Sequence, residues 1–249
     1  LKPGNHKILL TKKYNNYKQP IILYKSDTSQ NLMKLGNIED EIINIEIEVV
    51  KTKLNINKID YDTKNIYPQG EASLNNATIG IYDEKMTYIK EYLVENNQII
   101  IENLNFGKYY LKEIKPGIGY NLNTNIYEIN INKNNINQTL NIENKVIKKK
   151  IIIKKKYGEL NNLNNEPNIQ FKIYDKNKNM IKIIETNNQG VAEIELPYGK
   201  YTIVQLNTTT GYQKIEPFNI EIKNNEDEII ELTDYKIKVP NTSKNKKTF

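Results

Sequence analysis

The sequence predicts an all-β protein made of small antiparallel β-sandwiches in tandem, and three observations carry that prediction. Apolar residues recur at every second position over short runs, turn-rich patches interrupt those runs about every ten residues, and a unit of about ninety residues occurs twice. No segment has the 3.6-residue periodicity of a convincing amphipathic helix.

Taken in order, residues 1–52 align with neither copy of the repeat. They contain two runs with strand character, PIILYK (20–25) and IINIEIEVV (42–50), joined by SDTSQNLMKLGNIED, which reads as a connector. Some fifty residues bury too little surface to fold comfortably alone, so this stretch is expected to be the C-terminal remnant of an upstream β-domain. The chain opens on Leu1 rather than methionine and reads as a piece of a longer protein.

The two copies are predicted over 53–146 and 147–238. IGIYDEK (79–85) corresponds to FKIYDKN (171–177), and NFGKYYLKEIKPGIGY (105–120) to PYGKYTIVQLNTTTGY (197–212), both at an offset of 92 positions. One shared offset across two separated blocks is the mark of a duplicated unit. Period-two alternation places Leu54, Ile56 and Lys58 on one strand face, Ile151, Ile153 and Lys155 on another, and Tyr201, Ile203 and Gln205 on a third. Pro116, Gly117, Gly119 and Gly211 punctuate the stretches before Tyr120 and Tyr212 as turns. Short strands in units of this size are the pattern of a sandwich with immunoglobulin-like proportions.

Composition removes several function classes. There is no cysteine, so disulfides, thiolate metal sites and thiol catalysis are excluded, and the single histidine, His6, leaves no multi-histidine metal site. The net charge of +6 is built without any arginine, which argues against nucleic acid as a partner because phosphate and guanine recognition leans on the guanidinium fork. About 40 asparagines raise the question of disorder, but 18 tyrosines and abundant isoleucine supply the apolar surface that disordered chains lack. Lys148–Lys150 and Lys154–Lys156 flank an isoleucine run and read as a solvated strand edge protected by lysine, with attraction to anionic polymers as the alternative. No phosphate-cradling glycine loop, calcium loop or glycosidase carboxylate pair is present, so no cofactor, metal or enzymatic activity on an outside substrate is expected.

The order of signals in the first copy, LNINKID, LNNATIGIYD, FGKYYLKEIKPGIGY and TLNIENKV, resembles the Cna protein B-type domains of Gram-positive pilins and surface adhesins. The resemblance spans both copies and implies a prealbumin-like fold. It further implies a spontaneous isopeptide bond between a first-strand lysine and a last-strand asparagine or aspartate, assisted by a glutamate. The matching residues are Lys58, Asn144 and Glu113. A lysine amine is nucleophilic only when neutral, a state favoured by burial, and a buried protonated Glu113 is expected to hydrogen-bond the amide oxygen of Asn144 and relay protons as ammonia leaves.

In the second copy the corresponding candidates are Lys155 and Asp234, but Gln205 stands at the glutamate position. A carboxamide cannot shuttle the proton, so the expectation there is a partly buried ion pair, or no contact. After the second copy, residues 239–249 form a polar tail whose segment Val239, Pro240, Asn241, Thr242, Ser243 is similar to the LPxTG signal that sortases cleave, with valine for leucine and serine for glycine.

The resemblance thus implies the stalk of an extracellular, cell-wall-anchored adhesin or pilin subunit. Its partners would be a sortase and peptidoglycan, with a possible host surface ligand held by a missing tip domain. The alternatives are a module that itself grips host protein or glycan, and accessory repeats of a secreted hydrolase.

Overall fold

Alternation in the sequence becomes an all-β architecture in the computed structural model, which describes residues 51–237 together with the backbone of three strands among residues 1–50. Those three strands, β1 (His6–Leu9), β2 (Asn31–Glu39) and β3 (Ile42–Val49), form an antiparallel sheet in the order β1-β3-β2. The segment read as a connector therefore contains a strand. Its register sets Met33 against Ile47 and Leu35 against Ile45, and an irregularity between Leu35 and Ile38 absorbs Gly36 and Asn37, the residues that made it read as a turn. The predicted strand at 20–25 lies outside the described residues.

Residues 51–237 contain two compact units, the first drawn from 51–66, 74–118 and 122–144 and the second from 67–73, 119–121 and 145–237. In the first, β4 (Lys53–Asp60), β5 (Thr78–Tyr82), β6 (Tyr88–Leu93), β7 (Gln98–Glu102), β8 (Gly107–Lys115), β9 (Ile126–Ile131) and β10 (Asn137–Asn144) follow one another. They make two sheets, β10-β4-β7 and β6-β5-β8-β9. Leu54, Ile56, Ile79, Ile81, Leu111 and Ile142 form a dry core.

The second unit repeats the plan with β11 (Lys148–Glu159), β12 (Asn162–Asn165), β13 (Gln170–Asp175), β14 (Met180–Glu185), β15 (Val191–Pro197), β16 (Gly199–Gln205), β17 (Tyr212–Gln213), β18 (Phe218–Ile222) and β19 (Glu228–Lys236). One sheet runs β12-β11-β19-β17 with β15 also on β11, and the other runs β14-β13-β16-β18. Phe171, fully buried, packs among Ile151, Ile153, Ile173 and Ile203.

Pairing departs from the antiparallel expectation at one place in each unit. The first and last strands are parallel neighbours, β4 with β10 and β11 with β19. Period two reports which face a residue takes and is silent on strand direction. The lysine-rich β11 is not a sheet edge either, because β12 and β15 flank it on one side and β19 on the other. Its lysines meet carboxylates instead, Lys149 with Glu228 and Lys150 with Glu193.

Candidate functional site

The parallel ladder of the first unit brings the two ends of the repeat together. Lys58 on β4 is opposite Ile142 on β10, so Asn144, two positions further along, lies on the same face. Glu113 comes from the facing sheet, where β8 sets it against Ile79 of β5. All three side chains are inside the core, at 0%, 3% and 2% exposure for Lys58, Glu113 and Asn144.

Glu113 serves both nitrogens with its two oxygens. Lys58 Nζ donates to Oε1 at 2.7 Å, and Asn144 Nδ2 donates to Oε2 at 2.7 Å. The same Lys58 Nζ contacts Asn144 Oδ1. The amide thus turns its nitrogen, not the anticipated oxygen, to the carboxyl group, and the oxygen faces the amine. Burial pushes the Lys58 amine below its ordinary value of 10.5, against the opposing charge and hydrogen bond of Glu113.

Asn123 completes this site and was missed in the sequence. Its backbone N–H donates to Glu113 Oε2 at 2.7 Å, while its side-chain amide donates to Tyr127 Oη and the Glu143 carbonyl oxygen. It lies in a loop, where alternation says nothing about direction.

The second unit brings Lys155 and Asp234 together by the same register: Lys155 is opposite Leu232, and Asp234 is two positions on. The pair is fully buried rather than partly so, at 2.7 Å between Nζ and Oδ1. Gln205 takes the Glu113 place against Phe171 and donates Nε2 to Asp234 Oδ2. A further acid, absent from the candidates, stands beside them. Glu166 is fully buried with Oε2 at 2.8 Å from Lys155 Nζ. It follows β12 directly, its backbone N–H donates to the Lys155 carbonyl, and the hairpin register that pairs Lys156 with Asn165 sets it across from Lys155.

Among the described residues no group of histidine, cysteine or carboxylate side chains could hold a metal ion. The sorting-like segment Val239–Ser243 lies outside the described residues, and His6 belongs to β1.

The family model "SpaA: Prealbumin-like fold domain" matches the chain twice, over residues 52–146 and 149–236. The Bacillus anthracis TIE protein is similar at 25% identity with a TM-score of 0.67, covering 83% of this chain and 39% of that one, so this chain spans well under half of it. The C-terminal fragment of the pilus adhesin SpaC from Lactobacillus rhamnosus GG shares the fold at 10% identity and a TM-score of 0.54, covering 76% of this chain and 99% of the fragment. No curated protein sequence matches.

Proposed function

The chain belongs to the family of SpaA prealbumin-like fold domains, and from that premise we propose that it is stalk material of a cell-wall-anchored surface adhesin or pilin subunit, with its first unit closed by an isopeptide bond between Lys58 and Asn144. The observation that carries this reading is the meeting of Lys58, Glu113 and Asn144 in a dry core.

The chemistry is a condensation without an outside reagent. Burial favours the neutral amine, and Glu113 Oε1 accepts a proton from Lys58 Nζ as the nitrogen attacks Cγ of Asn144. From Oε2 the acid returns a proton to Nδ2, the C–Nδ2 bond breaks, and ammonia leaves. No group is oxidised or reduced. Excluding water protects the reacting centre from competing proton transfers.

The resulting bond would close a loop between residues 86 apart and join the first strand of the unit to its last. Tension applied along the chain would then pass from β4 to β10 through an amide and bypass the sandwich between them. Such a device suits a stalk. Attachment to peptidoglycan by a sortase is assigned to Val239–Ser243 from their sequence.

Intact mass of the purified chain tests the reading. The expected contribution of the first unit is a loss of about 17 Da as ammonia, absent in Lys58→Ala. A first unit, 53–146, at full calculated mass would defeat it.

A further inference from the structure

We infer that the second unit also closes itself, by an isopeptide bond between Lys155 and Asp234, with Glu166 as the catalytic acid in place of the family-position Gln205. The inference rests on the reading of the first unit for its chemistry and on separate residues for its evidence.

Lys155, Glu166 and Asp234 are all fully buried, and Lys155 Nζ lies 2.8 Å from Glu166 Oε2 and 2.7 Å from Asp234 Oδ1. Those two oxygens share the single buried ammonium and accept no other hydrogen bond. Their partner oxygens, by contrast, are well served. Asp234 Oδ2 accepts from Gln205 Nε2 and Thr208 Oγ1, and Glu166 Oε1 accepts from the Thr209 backbone N–H at 2.8 Å, with the same Thr208 hydroxyl 3.3 Å away. Keeping one ammonium and two carboxylates in a dry site is costly. Condensation replaces the Lys155–Asp234 pair of buried charges by a neutral amide.

In the step, the Lys155 ammonium first gives one proton to Asp234 Oδ1, and the now neutral Nζ attacks Cγ of Asp234 and passes a second proton to Glu166 Oε2. The Gln205 amide and the Thr208 hydroxyl steady the negative charge that builds on Oδ2. Glu166 then gives a proton to Oδ1, the C–Oδ1 bond breaks, and one water leaves. The lysine and aspartate charges vanish together, the amide carries no net charge, and nothing is oxidised or reduced. Gln205 is thereby a hydrogen-bond donor to the electrophile, and the proton carrier arrives from the β11–β12 hairpin on the lysine's own sheet rather than from the facing one.

High-resolution intact mass and peptide mapping of the full chain test this independently of the first unit. Loss of water is about 18 Da, so the chain is expected about 35 Da light in total, Lys58→Ala about 18 Da light and Lys155→Ala about 17 Da light. Asp234→Asn is expected to keep the bond while changing the second loss from water to ammonia. A linear peptide containing unmodified Lys155 in the wild-type chain overturns the bond, whatever the first unit does. Glu166→Gln is expected to restore the missing 18 Da, and retention of the bond in that variant overturns the role of Glu166. If Glu166→Gln does not fold, the double variant with Gln205→Glu decides: recovery of the bond supports the need for an acid, and a folded double variant without it overturns the assignment.

Discussion

Lys58 and Glu113 belong to opposite sheets of the first unit, yet Nζ and Oε1 meet at 2.7 Å with both side chains sealed from solvent. Breaking such a contact on one side leaves the other group buried and uncompensated. On the proposed reading Glu113 acts on Lys58 in two separable ways, through its charge and as a carrier of protons.

Glu113→Gln separates them. The charge and hydrogen bond of Glu113 hold the Lys58 amine up against burial, so replacing the carboxyl group lowers that amine further and increases its neutral fraction. If a neutral amine were sufficient, the variant would cross-link at least as well as the wild type. Because a carboxamide carries no transferable proton, the expected result is the full uncondensed mass in the first unit despite the more nucleophilic lysine. Intact mass after prolonged incubation checks it, with Glu113→Asp as a partial-activity control.

Removing the electrophile exposes the cost of the buried amine. Asn144→Ala keeps Lys58 and Glu113 but cannot form the bond, and loss of a closed loop of this length lowers stability by about 4 to 5 kcal/mol on the chain-entropy estimate used for disulfides. The variant should also gain a pH dependence. Lys58 has a folded-state value below its unfolded 10.5, so between those two values the unfolded chain holds more protons and stability rises with pH. Below the window the cost is fully present, and above 10.5 it is gone. Urea midpoints of the variant should climb toward pH 10.5, with no such component in the wild type, where the proposed bond makes the nitrogen an amide.

Gly190 supports the second site through its backbone. Its φ is +73°, and a Cβ there would come within 2.4 Å of the Lys155 carbonyl oxygen, while the Gly190 carbonyl accepts from the Lys155 N–H at 2.7 Å. Gly190→Ala must therefore displace β11 at the lysine. A loss of about 1 to 3 kcal/mol is expected, together with slowed or absent water loss in the second unit and an unchanged 17 Da loss in the first, read by urea denaturation and peptide mapping.

Much of this was legible because burial writes itself into alternation. Lys58 and Lys155 continue runs of inward isoleucine and leucine, and a lysine in phase with a core face has few reasons to be there. Gln205 was readable as the counterpart of Glu113 from the 92-position offset alone. Glu166 was not, because it stands just past a short exposed strand in the turn-rich stretch YGELNNLNNEPN, and only the hairpin register turns it toward Lys155. The parallel pairing was hidden for a related reason: residues 58 and 144 meet through a ladder whose direction no local pattern encodes. Asn31–Glu39 was obscured by the Gly36–Asn37 irregularity inside it.

Tension offers the most direct test of the stalk reading. In the first unit β4 and β10 run parallel with their eight register pairs side by side, so a pull on the ends loads those pairs in shear. Hydrogen bonds loaded together resist well but eventually yield, whereas an amide between Lys58 and Asn144 does not yield at the forces that unfold domains. With the bond in place the residues between these two positions, 86 apart, cannot extend. In Lys58→Ala they can, and the released length is roughly 300 Å at about 3.3 to 3.6 Å per residue. Single-molecule pulling of the full chain should therefore show an added extension step of that size in Lys58→Ala that is missing from the wild type. A wild-type trace with the same step would mean that force travels through the sandwich, and that the buried triad serves only to hold two sheets together.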